Sequence, residues 1–153
     1  MSTVHIRRSK PKDGAQIGQL IYDTVRTINI RDYSEEQVQA WAPDPEIFST
    51  YDECCAYVAE INGKIVAFGN LTLDGYLHRF YVHKDFQGQG IGAELLRAIE
   101  AKAKELNLSE IRTEASITAK PFFLSQGYTI LEQQKKILRG VAFINYKMVK
   151  VLN

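Results

Sequence analysis

The sequence predicts an α/β fold of the α+β kind: one domain with a mixed, mostly antiparallel central sheet of about seven strands and helices on both faces. Three observations carry this expectation. Strand-like runs follow one another directly across Asn62-Gly63 and Asp74-Gly75, with no helix between them. A strand, a glycine-rich loop and an amphipathic helix then occupy Tyr76 to Leu106. After Gly127 the chain reads as a hairpin. A doubly wound nucleotide fold would interleave helices with its strands from the start.

Taken in order, Val4 to Arg8 alternates enough for a first strand. Lys10 to Gly14 is a turn, and Asp13 is placed to cap the helix marked by Ile17, Leu20, Ile21, Thr24, Val25 and Ile28 at helical spacing. Asn29 to Tyr33 breaks it. Ser34 and Gln37 have the spacing of a capping box, opening a short helix with Val38 and Trp41 that stops before Pro43 and Pro45.

Ala56 to Ile61 reads as a strand, and Asn62-Gly63 is the strongest short hairpin signal in the chain. Lys64 to Leu73 returns as a largely buried strand, and Asp74-Gly75 makes a second two-residue turn into the central strand from Tyr76. In the central helix, apolar residues recur at Ile91, Leu95, Ile99, Ala103 and Leu106, and Asn107 ends it. Ile111 to Ala115 forms a strand parallel to the central one, since the helix supplies the crossover that parallel pairing requires. Ser116 or Thr118 caps a short helix closed by Gly127. Thr129 to Leu138 and Val141 to Val149 are the last strands, joined at Arg139-Gly140.

With 153 residues the chain fits one domain, residues 1–153, with one substantial core. Lysine and arginine number 19 against 18 acids, so no global field attracts nucleic acid or a membrane. The N-terminal residues lack the apolar core of a signal peptide and no run reaches membrane-spanning length, which makes the cytoplasm the expected location. The two cysteines are adjacent, Cys54-Cys55. A bridge between neighbours is strained and two thiols alone make no zinc site, so one buried and one partly exposed free thiol are expected, and no metal.

The loop Gln87-Gly88-Gln89-Gly90-Ile91-Gly92 carries the chemistry. Glycines let a ligand approach the main chain, and a helix start presents unpaired amides to negative charge, so a pyrophosphate cradle is expected rather than a mere connection. A P-loop would need a lysine at the helix start, and none lies between Gln87 and Arg97. A dinucleotide fingerprint spaces its glycines differently, although Glu110 and Glu114 stand roughly where a ribose-binding acid would.

These residues, preceded by Phe80-Tyr81-Val82-His83, resemble the acyl-CoA motif of the GNAT superfamily of N-acetyltransferases, Gln/Arg-x-x-Gly-x-Gly/Ala, met here by Gln87, Gly90 and Gly92. The similarity runs on through Glu114-Ala115-Ser116, Ala119-Lys120-Pro121-Phe122-Phe123 and Gln126-Gly127-Tyr128. The resemblance implies acetyl-CoA as co-substrate. Tyr81 and Val82 would lie along the pantetheine arm in a gap between the central strand and its parallel neighbour, with Val82 offering backbone hydrogen bonds. The amides of Gly88, Gln89, Gly90, Ile91, Gly92 and Ala93 would hold the pyrophosphate, Gln87 would order the loop, and Phe122 and Phe123 would flank the arm. Tyr33 and Trp41 would line the acceptor pocket, the plainer reading of Trp41 being a core or hinge anchor.

Transfer to an amine requires that the amine lose a proton, that a donor meet the oxyanion and that the thiolate leave. A glutamate used by some relatives falls at Tyr76 here, which is no base at neutral pH. Other relatives use a histidine further along the strand, and His78 is the first candidate base; Glu114 is the second. The usual acid, a tyrosine, falls at Phe123, which cannot give a proton, leaving Ser116, Tyr128 or solvent. The expected function is an N-acetyltransferase acting on a primary amine of a small molecule or peptide in a ternary complex, as a monomer or homodimer. Phe123 keeps a second reading open, a non-catalytic acyl-CoA-binding or sensing domain, and an NAD-dependent enzyme is a third.

Overall fold

The computed structural model describes residues 3–153; Met1 and Ser2, included in the single-domain expectation, lie outside the described residues. Runs of branched and aromatic residues form β1 (His5–Arg8), β2 (Cys55–Ile61), β3 (Lys64–Leu71), β4 (Tyr76–Val82), β5 (Glu110–Ser116), β6 (Thr129–Leu138) and β7 (Val141–Val151). They make one 7-stranded sheet in the order β1-β2-β3-β4-β5-β7-β6. Only the β4–β5 pair is parallel, so the mixed, mostly antiparallel sheet stands as expected.

Helices cover both faces. On one, Ile17, Leu20, Ile21 and Val25 of α1 (Gly14–Thr27) and Val38 of α2 (Glu35–Trp41) bury against Val58, Ile65 and Phe68. On the other, Ile91, Leu95, Leu96 and Ile99 of α3 (Ile91–Glu105) bury against Ala67, Leu71, Leu77 and Ile111, with Phe123 of α4 (Lys120–Ser125) closing the end. Each such side chain contributes about 1.5–3 kcal/mol on leaving water. Because helices pack on both sides of β3, every residue from Ile65 to Leu71 is buried. No helix among the described residues is long and apolar enough to cross a membrane.

Local signals hold where short-range chemistry decides. Asn62 and Gly63 take φ of 51° and 79°, and Arg139 and Gly140 take 47° and 79°, making two tight hairpin turns. Ser34 and Gln37 form the capping box in both directions, at 3.1 and 2.8 Å. Cys55 is buried and Cys54 exposed, their unbonded sulfurs 4.0 Å apart.

Three expectations need correction. Neither Ser116 nor Thr118 caps α4: the residue before that helix is Ala119, no side chain caps it, and the Ser116 hydroxyl accepts from the Ala119 amide instead. Asp13 does not cap α1: its carboxylate accepts from the Lys10 amide at 2.7 Å and from Arg7 at 2.9 and 3.1 Å, closing the preceding 3-10 turn (Pro11–Asp13) instead. The pairing with Arg7 holds its carboxyl below the usual range. Asp74-Gly75 is not a two-residue turn either. The Thr72 amide donates to the Tyr76 carbonyl at 2.9 Å, so Leu73, Asp74 and Gly75 all lie in the loop, with the Thr72 hydroxyl bonded to Asp74.

Candidate active site

The site begins at a fault in the sheet. β4 and β5 pair only at Tyr76–Arg112 and Leu77–Thr113, and the Thr113 hydroxyl donates to the Leu77 carbonyl at 2.9 Å to close the vertex. On the other edge of β4 the register slips, because Leu71 faces Leu77 while Asn70 faces Arg79. His78 is the extra residue of this β-bulge, opposite no residue of β3 and just past the last pair with β5.

Beyond the vertex the strands part. The His83 amide donates to the Val66 carbonyl at 2.8 Å. Alternation along the antiparallel ladder therefore turns the main-chain groups of Phe80 and Val82 away from β3, into the gap. The Val82 carbonyl is met there by Gln87 Nε2 at 2.6 Å and by the Thr24 hydroxyl at 3.2 Å, which ties both the glycine loop and α1 to the end of β4.

The loop's glycines do different work. Gly90 has φ of 80°, and a Cβ there would meet nothing within 4 Å, so it is the left-handed backbone that calls for glycine. At Gly92 a Cβ would lie 3.3 Å from the Phe122 ring, so it is close approach. Gly90 is also the residue before α3, and no side chain caps that helix. Its first amides and the positive end of its dipole face the loop.

Together these elements enclose a cleft of about 450 Å³, within the range of small-ligand sites. Tyr81, Val82, residues 87–93, Phe122 and Phe123 all line it. Phe80 stacks on Phe122 at 5.5 Å, and Phe123, 2% exposed, backs both rings. A second cleft of about 440 Å³ adjoins it on the side of α2 and the β6–β7 hairpin. Tyr33 and Trp41 both line the second cleft, their rings edge to face at 5.4 Å.

Tyr33 is also a strut. Its buried hydroxyl donates to the Ile144 carbonyl at 2.7 Å and accepts from the Ile117 amide at 2.9 Å. Tyr33→Phe leaves both partners without it, and a loss of about 2–3 kcal/mol in denaturant unfolding is expected. A change near zero would remove the strut.

Trp41, His78, Tyr81, Glu114 and Ser116 line both clefts and so form their common wall. Burial and the neighbouring Arg79 push the His78 imidazolium below its ordinary pKa, against a weaker pull from Asp52 and Glu114, so the ring is neutral at pH 7. Glu114 is paired with Lys136 at 2.8 Å. Ser116 Oγ accepts from the Ala119 amide at 3.0 Å, just ahead of α4, which leaves its own proton for another acceptor. Burial pushes the Tyr81 phenol up to about 12. Tyr128 lines neither cleft: it is buried with its hydroxyl donated to Glu100 at 2.9 Å.

Residues 29–150 match the sequence model of the acetyltransferase (GNAT) domain. The chain belongs to the GNAT acetyltransferase family. It is 31% identical, over 97% of its length and 96% of the relative's, to the uncharacterized N-acetyltransferase YafP of Escherichia coli (strain K12). The crystal structure of a GCN5-related N-acetyltransferase from Rhodopseudomonas palustris superposes with a TM-score of 0.92 at 29% identity, covering 99% of this chain and 98% of that one. The fold is also shared, at a TM-score of 0.68 and 20% identity, with yncA of Salmonella typhimurium, a putative acetyltransferase solved with its cofactor acetyl-CoA; that match covers 99% of this chain and 95% of the other.

GNAT acetyltransferases use acetyl-CoA, and the first cleft suits it on this chain's own evidence. The uncapped start of α3 offers amides to a pyrophosphate. The Phe80 and Val82 main chain offers an open strand edge, and the buried Thr118 hydroxyl on the cleft wall has no hydrogen-bond partner. Thr24 and Asn29, which also line this cleft, were not singled out from sequence as site residues. Thr24 reads there as one more position of the α1 stripe, and its polarity inside an apolar pattern is the signal.

Proposed function

We propose that this protein is a cytoplasmic N-acetyltransferase that moves an acetyl group from acetyl-CoA to a primary amine of a small molecule or peptide, by direct attack with both substrates bound. The observation that carries the reading is the pair of adjoining clefts with a common wall containing His78, Glu114 and Ser116. A donor reaching that wall from one side and an amine from the other are held for in-place reaction, with the gain that proximity brings.

When bound, acetyl-CoA supplies an acetyl group already activated as a thioester. The amides from Gly88 to Ala93 and the α3 dipole hold negative charge, and Gln87 keeps the loop against Val82. The Val82 amide offers a hydrogen bond to the pantetheine, which lies beside the Phe122 ring with Phe123 packed behind it. An amine arrives mostly as ammonium at neutral pH, and neutral His78 is the group that takes its proton. Ser116 keeps a proton that it can give. Trp41 and Tyr33 hold the acceptor's body.

Calorimetric titration with acetyl-CoA, with NAD as control, followed by thiol release in the presence of pooled amines, tests this. Acetyl-CoA binding, no NAD response and amine-dependent thiol release are expected. Binding with no release for any amine favours the acyl-CoA-sensing reading, which Phe123 supports because its ring carries no proton. No binding of acetyl-CoA overturns both.

A further inference from the structure

The second cleft is charged in a way that the chain as a whole is not. The chain's formal net charge is +1. Yet Arg79, Lys136 and Arg139 line this one cleft, and the single carboxylate among its lining residues, Glu114, is already taken by Lys136 at 2.8 Å. Neither Arg79 nor Arg139 forms an ion pair with a carboxylate among the described residues.

Both guanidiniums are held in place by main-chain oxygens. Arg79 donates to the carbonyls of Phe48 and Thr50 at 3.4 and 3.1 Å and lies over the Phe48 ring at 5.4 Å. Arg139 donates to the Ala40 carbonyl at 2.6 Å from the tip of the β6–β7 hairpin. A guanidinium has five donors, and these contacts use two hydrogens or fewer on each, leaving a planar fork to face an oxyanion. Arg139 is exposed, but Arg79 is partly buried, and a partly buried cation without a counter-charge is costly unless a ligand supplies one. The remaining walls are mostly aromatic and aliphatic, with Trp41, Tyr76, Phe143, Ile137 and Leu138 among them.

Resting on the acetyltransferase reading, we infer that the acceptor is an amine that also bears an anionic group, carried on an aromatic or apolar body. Arg79 binds the anion, Arg139 supports it from the hairpin, and the amine is left toward His78, the next residue along β4. A polyamine or a lysine-rich peptide would meet like charge here.

The test compares matched pairs: phenylalanine with phenethylamine, and tyramine phosphate ester with tyramine. Each compound is titrated into the protein by calorimetry and assayed with acetyl-CoA. In both measurements the anionic member is expected to be favoured at least tenfold in kcat/KM and in affinity; which pair responds separates carboxylate from phosphate. Arg79→Gln keeps a polar side chain of similar width without the charge and is expected to remove most of the preference, mainly through KM. Arg139→Gln, at an exposed turn that does not endanger folding, should remove part of it.

Arginine-dependent binding of the anionic compounds, with no thiol release from these or any pooled amine, would sink the acetyltransferase reading and leave the anion site standing. Turnover of phenethylamine or tyramine with no gain from an anionic group would overturn this inference and leave the acetyltransferase standing. A preference that persists in both variants, or no binding of any anionic member, also overturns it.

Discussion

Replacing Gly90 with aspartate is expected to weaken acetyl-CoA binding by about 100-fold while the protein stays folded. A carboxylate about 4 Å from one phosphate charge opposes it by about 4 kcal/mol at an effective dielectric of 20. The loop is exposed, so part of that is lost to solvent, and about 2.7 kcal/mol, or two decades, remains. A side chain at Gly90 meets nothing within 4 Å, so crowding does not unfold the variant. Its φ of 80° costs a non-glycine residue about 1–2 kcal/mol, partly offset because aspartate tolerates the left-handed region better than most residues. Gly90→Ala carries the backbone cost without the charge, so it separates the two effects: its affinity should fall far less. The deficit of the aspartate variant should also shrink in high salt. A folded variant with unchanged affinity would refute the cradle.

The second large effect concerns His78. His78→Gln is expected to lower kcat by about 10²–10⁴, the usual worth of a positioned general base. The pH dependence identifies the cause. Burial and Arg79 depress the imidazolium pKa below its ordinary 6.5, so the ring is neutral and able to accept a proton through neutral pH. As pH falls through that depressed pKa the ring is protonated, and kcat/KM should fall with it. The wild-type acidic limb therefore lies below pH 6.5, and the glutamine variant should lack it. Should the limb survive in His78→Gln and vanish in Glu114→Gln, the base is Glu114, whose carboxylate sits on the same wall.

Much of the fold was legible in the residues. The strand–glycine–helix order, the turns at Asn62-Gly63 and Arg139-Gly140 and the capping box at Ser34 all rest on neighbours within a few positions. Chemistry at that range is written locally. Where a residue had a choice of distant partners, reading it locally failed. Asp13 has the type and place of a helix cap, yet Arg7 and the Lys10 amide bind it more strongly. Tyr128 carries a phenolic proton, yet Glu100 takes its hydroxyl in the core and is itself held by Lys150. Tyr33 and Trp41 do reach a cleft, but Tyr33 also holds Ile117 and Ile144 together.

The sequence by itself determined that a glycine-rich helix start follows a strand, with His78 four residues before Val82, and that Phe122-Phe123 precede Gly127 with no tyrosine between them. Only the tertiary structure decided that His78 stands in a bulge at the mouth of a split sheet, because a bulge is a mismatch between two strands and belongs to neither alone. It also decided that β7 lies between β5 and β6. That order brings Arg139 and Lys136 from the hairpin to the same cleft as Arg79 and Glu114. Those four side chains come from three separate stretches of chain, and no periodicity or spacing along one stretch records a charge balance that exists only where they meet.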